Sequence, residues 1–237
     1  MNRKGSLIFL VILMWAWPLV CQAEVARFWF NVFTTNYPDP SQRRLDVAVV
    51  LGDTRYRQPD AIKSLQVTAP DPAHTVMDLS KNCWYELRGQ FFAYFLPSFF
   101  PGGQIPSGSY VAKVVDKAGK SLTVKKTLTV SFLPCPTITF PSTGAVLAQL
   151  KPTIAWTKVT GAQFYSIDLD DLTKGEPIYG TPARLIEVYR DSFTLQTGVL
   201  KPGTNYRIRI EARNSDKMMN QRSRSDWVNF STAPTAQ

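Results

Sequence analysis

The sequence contains few of the residues from which catalytic and metal sites are built. Its 237 residues include one histidine, His74, and three cysteines. A Ser-His-Asp or Cys-His catalyst would have to use His74 as its base, and no catalytic motif surrounds that residue. A tetrahedral zinc site needs four cysteine or histidine ligands at short spacings, which the chain does not provide. The composition therefore predicts a protein that is not an enzyme and binds no metal.

Two other patterns approach a chemical motif without completing it. The stretch 103–108 has the glycines of a phosphate-binding loop, but Ser109 stands where that loop requires lysine. Asp168 and Asp170 would share one face of a strand, where they could bind calcium or act as paired carboxylates. Because the other ligands of a calcium loop are missing, a solvated sheet face is the preferred interpretation. No cofactor is predicted.

Only the N-terminus has an apolar run that resembles a membrane span. The run covers residues 7–20, follows two basic residues and is too short to cross a bilayer comfortably. Small residues at the third and first positions before Glu24 fit a cleavage after Ala23. Residues 1–23 are therefore predicted to be a secretory signal peptide, and the mature chain to be exported to the periplasm, the cell surface or the medium.

Two alternatives remain for this segment. Cys21 could carry a lipid. Lipoprotein signals usually have a small residue directly before that cysteine, whereas this chain has Val20 there. The segment could also be an uncleaved anchor, in which Trp15 and Trp17 would suit the membrane interface. In all three cases the folded part lies outside the cytoplasm, and any membrane attachment is through the N-terminus.

Acidic residues are outnumbered by basic ones. The chain has 27 lysines and arginines against 18 aspartates and glutamates, a formal charge of +9. Removal of Arg3 and Lys4 with the signal leaves 25 basic residues and a charge of +7. Basic proteins tend to meet anionic partners. Here the basic residues alternate with apolar ones along strands and are not interleaved with stacking aromatics, so nucleic acid is not expected as a partner.

Two cysteines remain in the mature chain, Cys83 and Cys135. In an exported protein an even number favours a disulfide between them. Such a bridge would stabilise the fold by about 4 kcal/mol through the chain entropy of the unfolded state. Free buried thiols are the alternative.

Two stretches share a pattern that indicates the fold. In 105–110 and again in 200–206, an aliphatic residue and a turn with proline and glycine precede a tyrosine that opens an alternating strand. This is the pattern of a tyrosine corner in a Greek-key sandwich. Tyr110 and Tyr206 lie 96 positions apart, close to the length of one sandwich domain, about 100 residues. The sequence therefore predicts an all-β protein of two tandem antiparallel Greek-key β-sandwiches.

The boundary between the sandwiches is predicted at Leu133-Pro134-Cys135-Pro136, where two prolines make a short, stiff connector. This gives residues 24–133 as a generally immunoglobulin-like sandwich and residues 134–237 as a second one. The stiffness of the connector favours domains that lie close together with limited relative motion.

The second half supports a family resemblance. Pro152 to Trp156, Gly161 to Ile167, Leu200 to Tyr206 and Ser225 to Thr232 occur in order, and together they resemble a fibronectin type III domain. The resemblance implies that Trp156, Leu200 and Tyr206 are core residues. It also implies a protein or carbohydrate partner, although this fold serves many functions. The polar segment Asn214 to Arg224 would be a long loop before the last strand.

The candidate binding residues lie in two segments. The first is the aromatic stretch with Phe95, Phe99 and Phe100, for which packing between the domains is the alternative. The second is the loop 214–224, where adaptable methionines stand beside arginines, as at many protein interfaces. Its candidate residues are Met218, Met219, Arg222 and Arg224. A hairpin tip without a partner is the alternative there.

These observations predict a non-catalytic binding or scaffolding protein of the cell envelope that recognises a protein or carbohydrate through its sandwich loops. A carbohydrate-active enzyme that uses Asp168 and Asp170 is an alternative. A structural spacer within an envelope assembly is another.

Overall fold

The structure is a computed structural model that describes residues 27–52, 62–71, 76–81, 83–87, 91–98, 104–179, 187–215 and 221–235. Strands predominate throughout, which confirms the all-β prediction. A short 3-10 helix, Pro40–Gln42, directly follows its N-cap residue Asp39. The Asp39 carboxylate accepts a hydrogen bond from the Ser41 N–H. The predicted signal peptide and His74 lie outside the described residues.

The described residues of the first half form eight strands in two antiparallel sheets. One sheet has the order β1-β2-β6-β5 and the other the order β4-β3-β7-β8. The strands are β1 (Arg27–Asn36), β2 (Arg44–Gly52), β3 (Ile62–Thr68), β4 (Val76–Asp78), β5 (Cys83–Leu87), β6 (Phe91–Ser98), β7 (Gly108–Asp116) and β8 (Ser121–Leu128). The half is a two-sheet sandwich, and its immunoglobulin-like assignment stays a prediction.

In the second half, ten strands are formed by the residues that the structure describes. A three-stranded sheet, β9-β11-β15, faces a sheet in which β16 lies between β12 and β18. This arrangement is a fibronectin type III-like sandwich, as the resemblance implies. The strands are β9 (Ile138–Phe140), β10 (Ala145–Leu147), β11 (Thr153–Trp156), β12 (Phe164–Asp171), β13 (Glu176–Tyr179), β14 (Glu187–Val188), β15 (Ser192–Thr194), β16 (Asn205–Arg213), β17 (Gln221–Arg224) and β18 (Val228–Thr232).

Each half has its own hydrophobic core, formed by the alternating residues of facing strands. In the first half, β2 contributes Val47 and Val49, and β7 contributes Tyr110 and Val114, all fully buried. In the second half the core is built around Trp156 and Tyr165, whose rings pack edge to face with centroids 5.4 Å apart. Leu133, from the connector, is buried in this second core.

Both tyrosine corners are present. The Tyr206 hydroxyl accepts a hydrogen bond from the Lys201 N–H at 2.8 Å, across a turn in which Gly203 has the positive φ of +62° that favours glycine. The Tyr110 hydroxyl instead donates to the Pro106 carbonyl at 2.8 Å. Burial raises the pKa of Tyr110, which keeps its hydroxyl protonated as a donor. The two corners therefore close similar turns with opposite hydrogen-bond direction.

The two halves share one sheet. Strand β17 pairs antiparallel with β16 of its own half and parallel with β1 of the other half. In the parallel pairing, Thr35 lies beside Arg222 and Asn36 beside Ser223. A sheet of eleven strands therefore runs from one sandwich into the other.

The opposite direction of the two corner bonds predicts different costs for removing them. Tyr206→Phe leaves the Lys201 N–H without its acceptor, and we expect a loss of about 1–2 kcal/mol of unfolding free energy. Tyr110→Phe removes only the hydrogen bond to the Pro106 carbonyl. Proteins tolerate a carbonyl without this donor better than an N–H without an acceptor, so the loss of unfolding free energy should be smaller. Urea unfolding would measure both variants against wild type. Equal stability of Tyr206→Phe and wild type would contradict this account.

Candidate functional site at the domain junction

The segment predicted to be a loop is partly a strand. Residues 214–224 were expected to form a surface loop, but Gln221–Arg224 is β17, hydrogen-bonded on both edges. The sequence Gln-Arg-Ser-Arg has no apolar residue and so resembles a loop. It forms a strand because polar groups from three other strands, β1, β2 and β16, and from the connector bind its side chains. The placement of Arg222 and Arg224 on an exposed loop is therefore corrected.

Arg222 is the most enclosed cation at this junction, with 7% of its surface exposed. Its Nε donates to the Thr35 hydroxyl at 3.1 Å, and its Nη2 donates to Oδ2 of Asp46 at 2.6 Å. Its Nη1 lies 3.4 Å from Oε2 of Glu211, and its guanidinium carbon lies 5.0 Å from the centre of the Phe33 ring. One guanidinium thus binds a carboxylate from each half of the chain.

Asp46 is fully buried in β2 and has three partners. Besides Arg222, its Oδ2 accepts a short hydrogen bond from the Thr35 hydroxyl. Its Oδ1 lies 3.0 Å from Nε of Arg44, an ion contact whose angle falls short of a hydrogen bond. A buried carboxylate is stable only when such partners replace water. Asp46 therefore depends on an arginine that lies 176 positions later in the sequence.

Glu211, in β16, is the second buried acid at this junction, and three arginines surround it. Nε of Arg213 donates to Oε1 at 2.6 Å, and Nε of Arg224 donates to Oε2 at 2.8 Å. Burial alone would raise the pKa of Glu211, but the charges of Arg222, Arg213 and Arg224 outweigh burial and lower the pKa far below its ordinary value. The carboxylate is therefore charged at every physiological pH.

We call these six residues the junction cluster: Asp46, Glu211, Arg44, Arg213, Arg222 and Arg224. Four cations share two carboxylates within the described part of the chain. Arg224 and Arg44 also lie over the Tyr37 ring, at 5.9 and 5.4 Å from its centre, and Arg224 donates to the Tyr37 hydroxyl at 3.3 Å. Cation–π contacts of this kind spread the positive charge over an aromatic face.

Hydrogen bonds to the connector complete the junction. Asn36 donates from its amide to the Leu133 carbonyl at 2.8 Å, and Ser223 donates from its hydroxyl to the Pro134 carbonyl at 2.7 Å. The Thr34 hydroxyl donates to the Ser131 carbonyl at 2.6 Å. Strands β1 and β17 therefore hold the connector on both sides, so the junction is specified by backbone pairing, ion pairs and the connector together.

The two aspartates considered as catalytic carboxylates are engaged with arginines. Nε of Arg207 donates to Asp170 at 2.7 Å, and Nε of Arg209 donates to Asp168 at 3.0 Å. The two guanidiniums also lie over the Trp227 ring, 4.4 and 4.3 Å from its centre. These contacts form a ladder across one face of the sheet. Each of the two carboxylates is bound by an arginine, and the side chains of Asp170 and Asp168 are 18% and 15% exposed.

The remaining predicted binding residues fall where their side chains are not described. The backbone of Phe95 lies in β6, where it pairs with Ala48. Phe99, Phe100, Met218 and Met219 lie outside the described residues. Their role as binding residues stays a prediction.

The predicted disulfide is not present in the structure. Cys135 is a free, half-buried thiol whose pKa is raised by burial. Cys83 lies in β5, and its side chain is outside the described part of the chain. Proline residues on both sides of Cys135 keep it in the connector, beside the junction cluster.

A groove that the sequence pattern did not indicate lies on the second half. Two hollows, about 520 and 230 Å³ in volume, share Tyr189 and Arg190 as lining residues. The first is also lined by Val188 and residues of β15, and the second by Lys158, Ala162, Gln163, Tyr165 and Asp191. Tyr189 is the most exposed large aromatic side chain described, at 67%. We call this feature the Tyr189 groove. An exposed tyrosine beside an arginine in Val-Tyr-Arg was the signal that could have identified it.

The described residues offer no other chemical centre of the usual kinds. They contain no group of three histidine, cysteine or carboxylate side chains that could hold a metal ion. None of the described segments is a helix long and apolar enough to span a lipid bilayer.

Comparisons with known proteins give distant likenesses in structure. No family description and no curated protein matches the sequence. A solved structure of fibronectin(III)-like modules of Clostridium thermocellum CbhA is 11% identical over 88% of this chain and 95% of that chain, with a TM-score of 0.32. Dimeric latent PorU from Porphyromonas gingivalis is 13% identical over 90% of this chain but only 20% of that chain, with a TM-score of 0.30. At these TM-scores the likenesses carry no conclusion about function.

Removing the central arginine should strongly destabilise the protein. Arg222→Met leaves Asp46 buried with a weaker set of partners, and we expect a loss of about 3–5 kcal/mol of unfolding free energy. The double variant Asp46→Leu/Arg222→Met should recover part of that loss, because it removes both charges. Arg207→Met, which breaks a more exposed pair, should cost about 0–1 kcal/mol. Denaturant unfolding would measure all three, together with the single variant Asp46→Leu that completes the double-mutant cycle. Strict additivity of the Asp46 and Arg222 effects would show that they do not interact.

The lowered pKa of Glu211 predicts how the stability of the protein depends on pH. Its folded pKa lies below its unfolded value, so its stabilising contribution is complete above the ordinary pKa of 4.5 and is lost as the pH falls below it. Glu211→Gln removes that contribution, so we expect the variant to be less stable at neutral pH. The difference from wild type should shrink between about pH 5 and pH 3. Thermal unfolding across this range tests the prediction, and a difference that does not change with pH would contradict it.

Proposed function

We propose that this chain is an exported, non-catalytic binding or scaffolding protein of the cell envelope, in which two sandwiches act as one rigid unit. The observation that carries the proposal is the junction between β1 and β17, where backbone pairing and the junction cluster fix one half against the other. Domains that need to move relative to each other usually meet through small polar interfaces. A buried ion-pair network across a shared sheet instead favours one fixed geometry.

A fixed geometry suits a protein that presents surfaces to a partner. Loops carried by a rigid scaffold lose little conformational freedom on binding, which improves affinity. A chain of contacts connects the Tyr189 groove with the junction. Arg213 lies over the Phe164 ring, and the centre of that ring lies 6.0 Å from the centre of the Tyr189 ring. The partner class is a protein or a carbohydrate, as the fibronectin type III resemblance implies.

The proposal of a non-catalytic role rests on the chemistry of the candidate groups. The acids of the outer sheet face are bound to arginines, and the acids of the junction cluster are buried among arginines. The single histidine has no motif around it. The export proposal rests on the N-terminal signal pattern, and the basic charge of the mature chain supports an anionic envelope partner.

Capture by the mature chain, residues 24–237, tests this function. The immobilised protein is exposed to envelope extract at about 0.1 M and about 1 M salt. The extract is used untreated, after protease digestion and after periodate oxidation of its glycans. We expect saturable retention that one of the two treatments abolishes, which identifies the partner as protein or carbohydrate. The Arg222→Met variant, checked for folding by circular dichroism, should retain less if fixed geometry matters.

Two results would overturn the proposal. Release of products from a panel of glycans, abolished by Asp168→Asn or Asp170→Asn, would show an enzyme. Absence of any retained component under all conditions would show a spacer without a binding role. Mass spectrometry of the protein from its native host should find Glu24 at the N-terminus. A chain that still carries residues 1–23 would contradict processing by a signal peptidase.

A further inference from the structure

The Tyr189 groove has walls held in place by the sandwich. On one side, the Gln163 N–H donates to the Arg213 carbonyl at 2.8 Å, which ties the start of β12 to the end of β16. On the other side, the Trp156 N–H donates to the Asp191 carbonyl at 3.0 Å, which ties the turn after Tyr189 to β11. The two hollows that share Tyr189 are therefore bordered by strands of both sheets, and a ligand would meet a preformed surface.

Tyr189 contacts a buried aromatic ring and is largely exposed to solvent. Phe164, 1% exposed, lies under it with ring centroids 6.0 Å apart and planes inclined by 40°. Arg213 covers another side of Phe164, with its guanidinium carbon 5.7 Å from that ring. Tyr189 packs against this buried ring and keeps 67% of its surface exposed to solvent.

Positive charge predominates around the tyrosine. Arg190 and Lys158 line the groove and are exposed, whereas Asp191 is the one acid among the described lining residues. The walls mix apolar side chains with hydrogen-bonding ones. In the larger hollow, Val188 and Phe193 alternate with Ser192 and Thr194. The groove therefore combines an aromatic platform, two cations and several hydroxyl or amide groups.

We propose that the Tyr189 groove binds an acidic glycan, with one sugar ring against Tyr189 and the anionic group of that sugar or its neighbour on Arg190 and Lys158. This proposal rests on the proposed binding function and names the ligand class of one site within it. A sugar ring has an apolar face and a rim of hydroxyls, which matches the platform and the polar walls. Two hollows that share Tyr189 and Arg190 suit a polymer that continues from one hollow into the other.

An acidic protein segment fits the same groove less well. Protein hot spots concentrate in pockets from which water is excluded. Tyr189 keeps 67% of its surface exposed, and both hollows are open to solvent. Glycans bind through such shallow, hydrated surfaces because bridging waters can replace direct contacts at little cost.

Binding of defined probes to the full mature chain tests the proposal. The probes are a galacturonic acid hexasaccharide, its fully methyl-esterified neutral form, a sulfated hexasaccharide and a hexaglutamate peptide. Isothermal titration measures the affinity of each. We expect the galacturonate or the sulfated probe to bind at least about tenfold more tightly than the neutral ester, and more tightly than hexaglutamate, with the margin falling in high salt. The carboxylated and sulfated probes distinguish the two sources of the anionic group.

Variants locate the binding to the groove. Tyr189→Ala and Arg190→Gln should each weaken the charged probe by about tenfold or more, a loss of about 1.4 kcal/mol. Trp29→Ala, an exposed aromatic on the other half, and Arg207→Gln, an arginine on the outer sheet face, are matched controls that should bind as wild type does. All four positions are partly or largely exposed, so folding should be preserved and thermal unfolding would verify it.

Each other outcome overturns the glycan assignment. Equal affinity for the neutral ester would show that charge is not recognised, and preference for hexaglutamate would assign the groove to an acidic peptide. Unchanged binding by Tyr189→Ala would place the ligand elsewhere on the protein. If no hexasaccharide binds while the capture experiment still retains a partner, the proposed function survives and this site assignment fails.

Discussion

The ion pairs of Arg222 determine how the two halves of this protein meet. Its guanidinium contacts Asp46 in β2 and Glu211 in β16, so separating the sandwiches would take Arg222 away from Asp46 and leave that carboxylate with Arg44 as its ion-pair partner. The cost of leaving such charges buried and unpaired is several kcal/mol. The parallel pairing of β1 with β17 adds backbone hydrogen bonds that require the same register. Together these constraints select one arrangement of the domains.

The buried ion pairs make the geometry of the junction specific, but they add little net stability to the fold. Buried ion pairs often contribute no more than apolar residues of the same volume, because desolvation offsets the attraction. The cluster has four arginines and two acids among the described residues, so repulsion between the cations also has to be offset. Contacts of Arg44 and Arg224 with the Tyr37 ring, and partial exposure of both side chains, reduce that repulsion. An apolar interface would hold the halves together without fixing their register so narrowly.

The same strands connect the junction to the Tyr189 groove. Strand β16 carries Glu211 and Arg213 at its end, and Arg213 lies over Phe164, which supports Tyr189. A change at the junction that moves Arg213 would therefore reach the groove through packed side chains. The fixed geometry of the domains and the shape of the groove thus depend on one short region of the second half.

The alternating patterns of the sequence were sufficient for the strands, the two sandwiches and both tyrosine corners, because strand periodicity and turn chemistry are local properties. The scarcity of histidine and cysteine is a matter of composition alone, and it limits the chemistry that the chain can carry. The role of Gln221–Arg224 could not be obtained in this way. Polar residues form a strand there only because Thr35 and Asp46, more than 170 positions away, supply their partners. The Tyr189 groove also needed the tertiary structure, since folding brings residues 158–163 next to residues 188–194. Local sequence determines which segments become strands, whereas long-range contacts decide which polar side chains are buried and which remain available to a ligand.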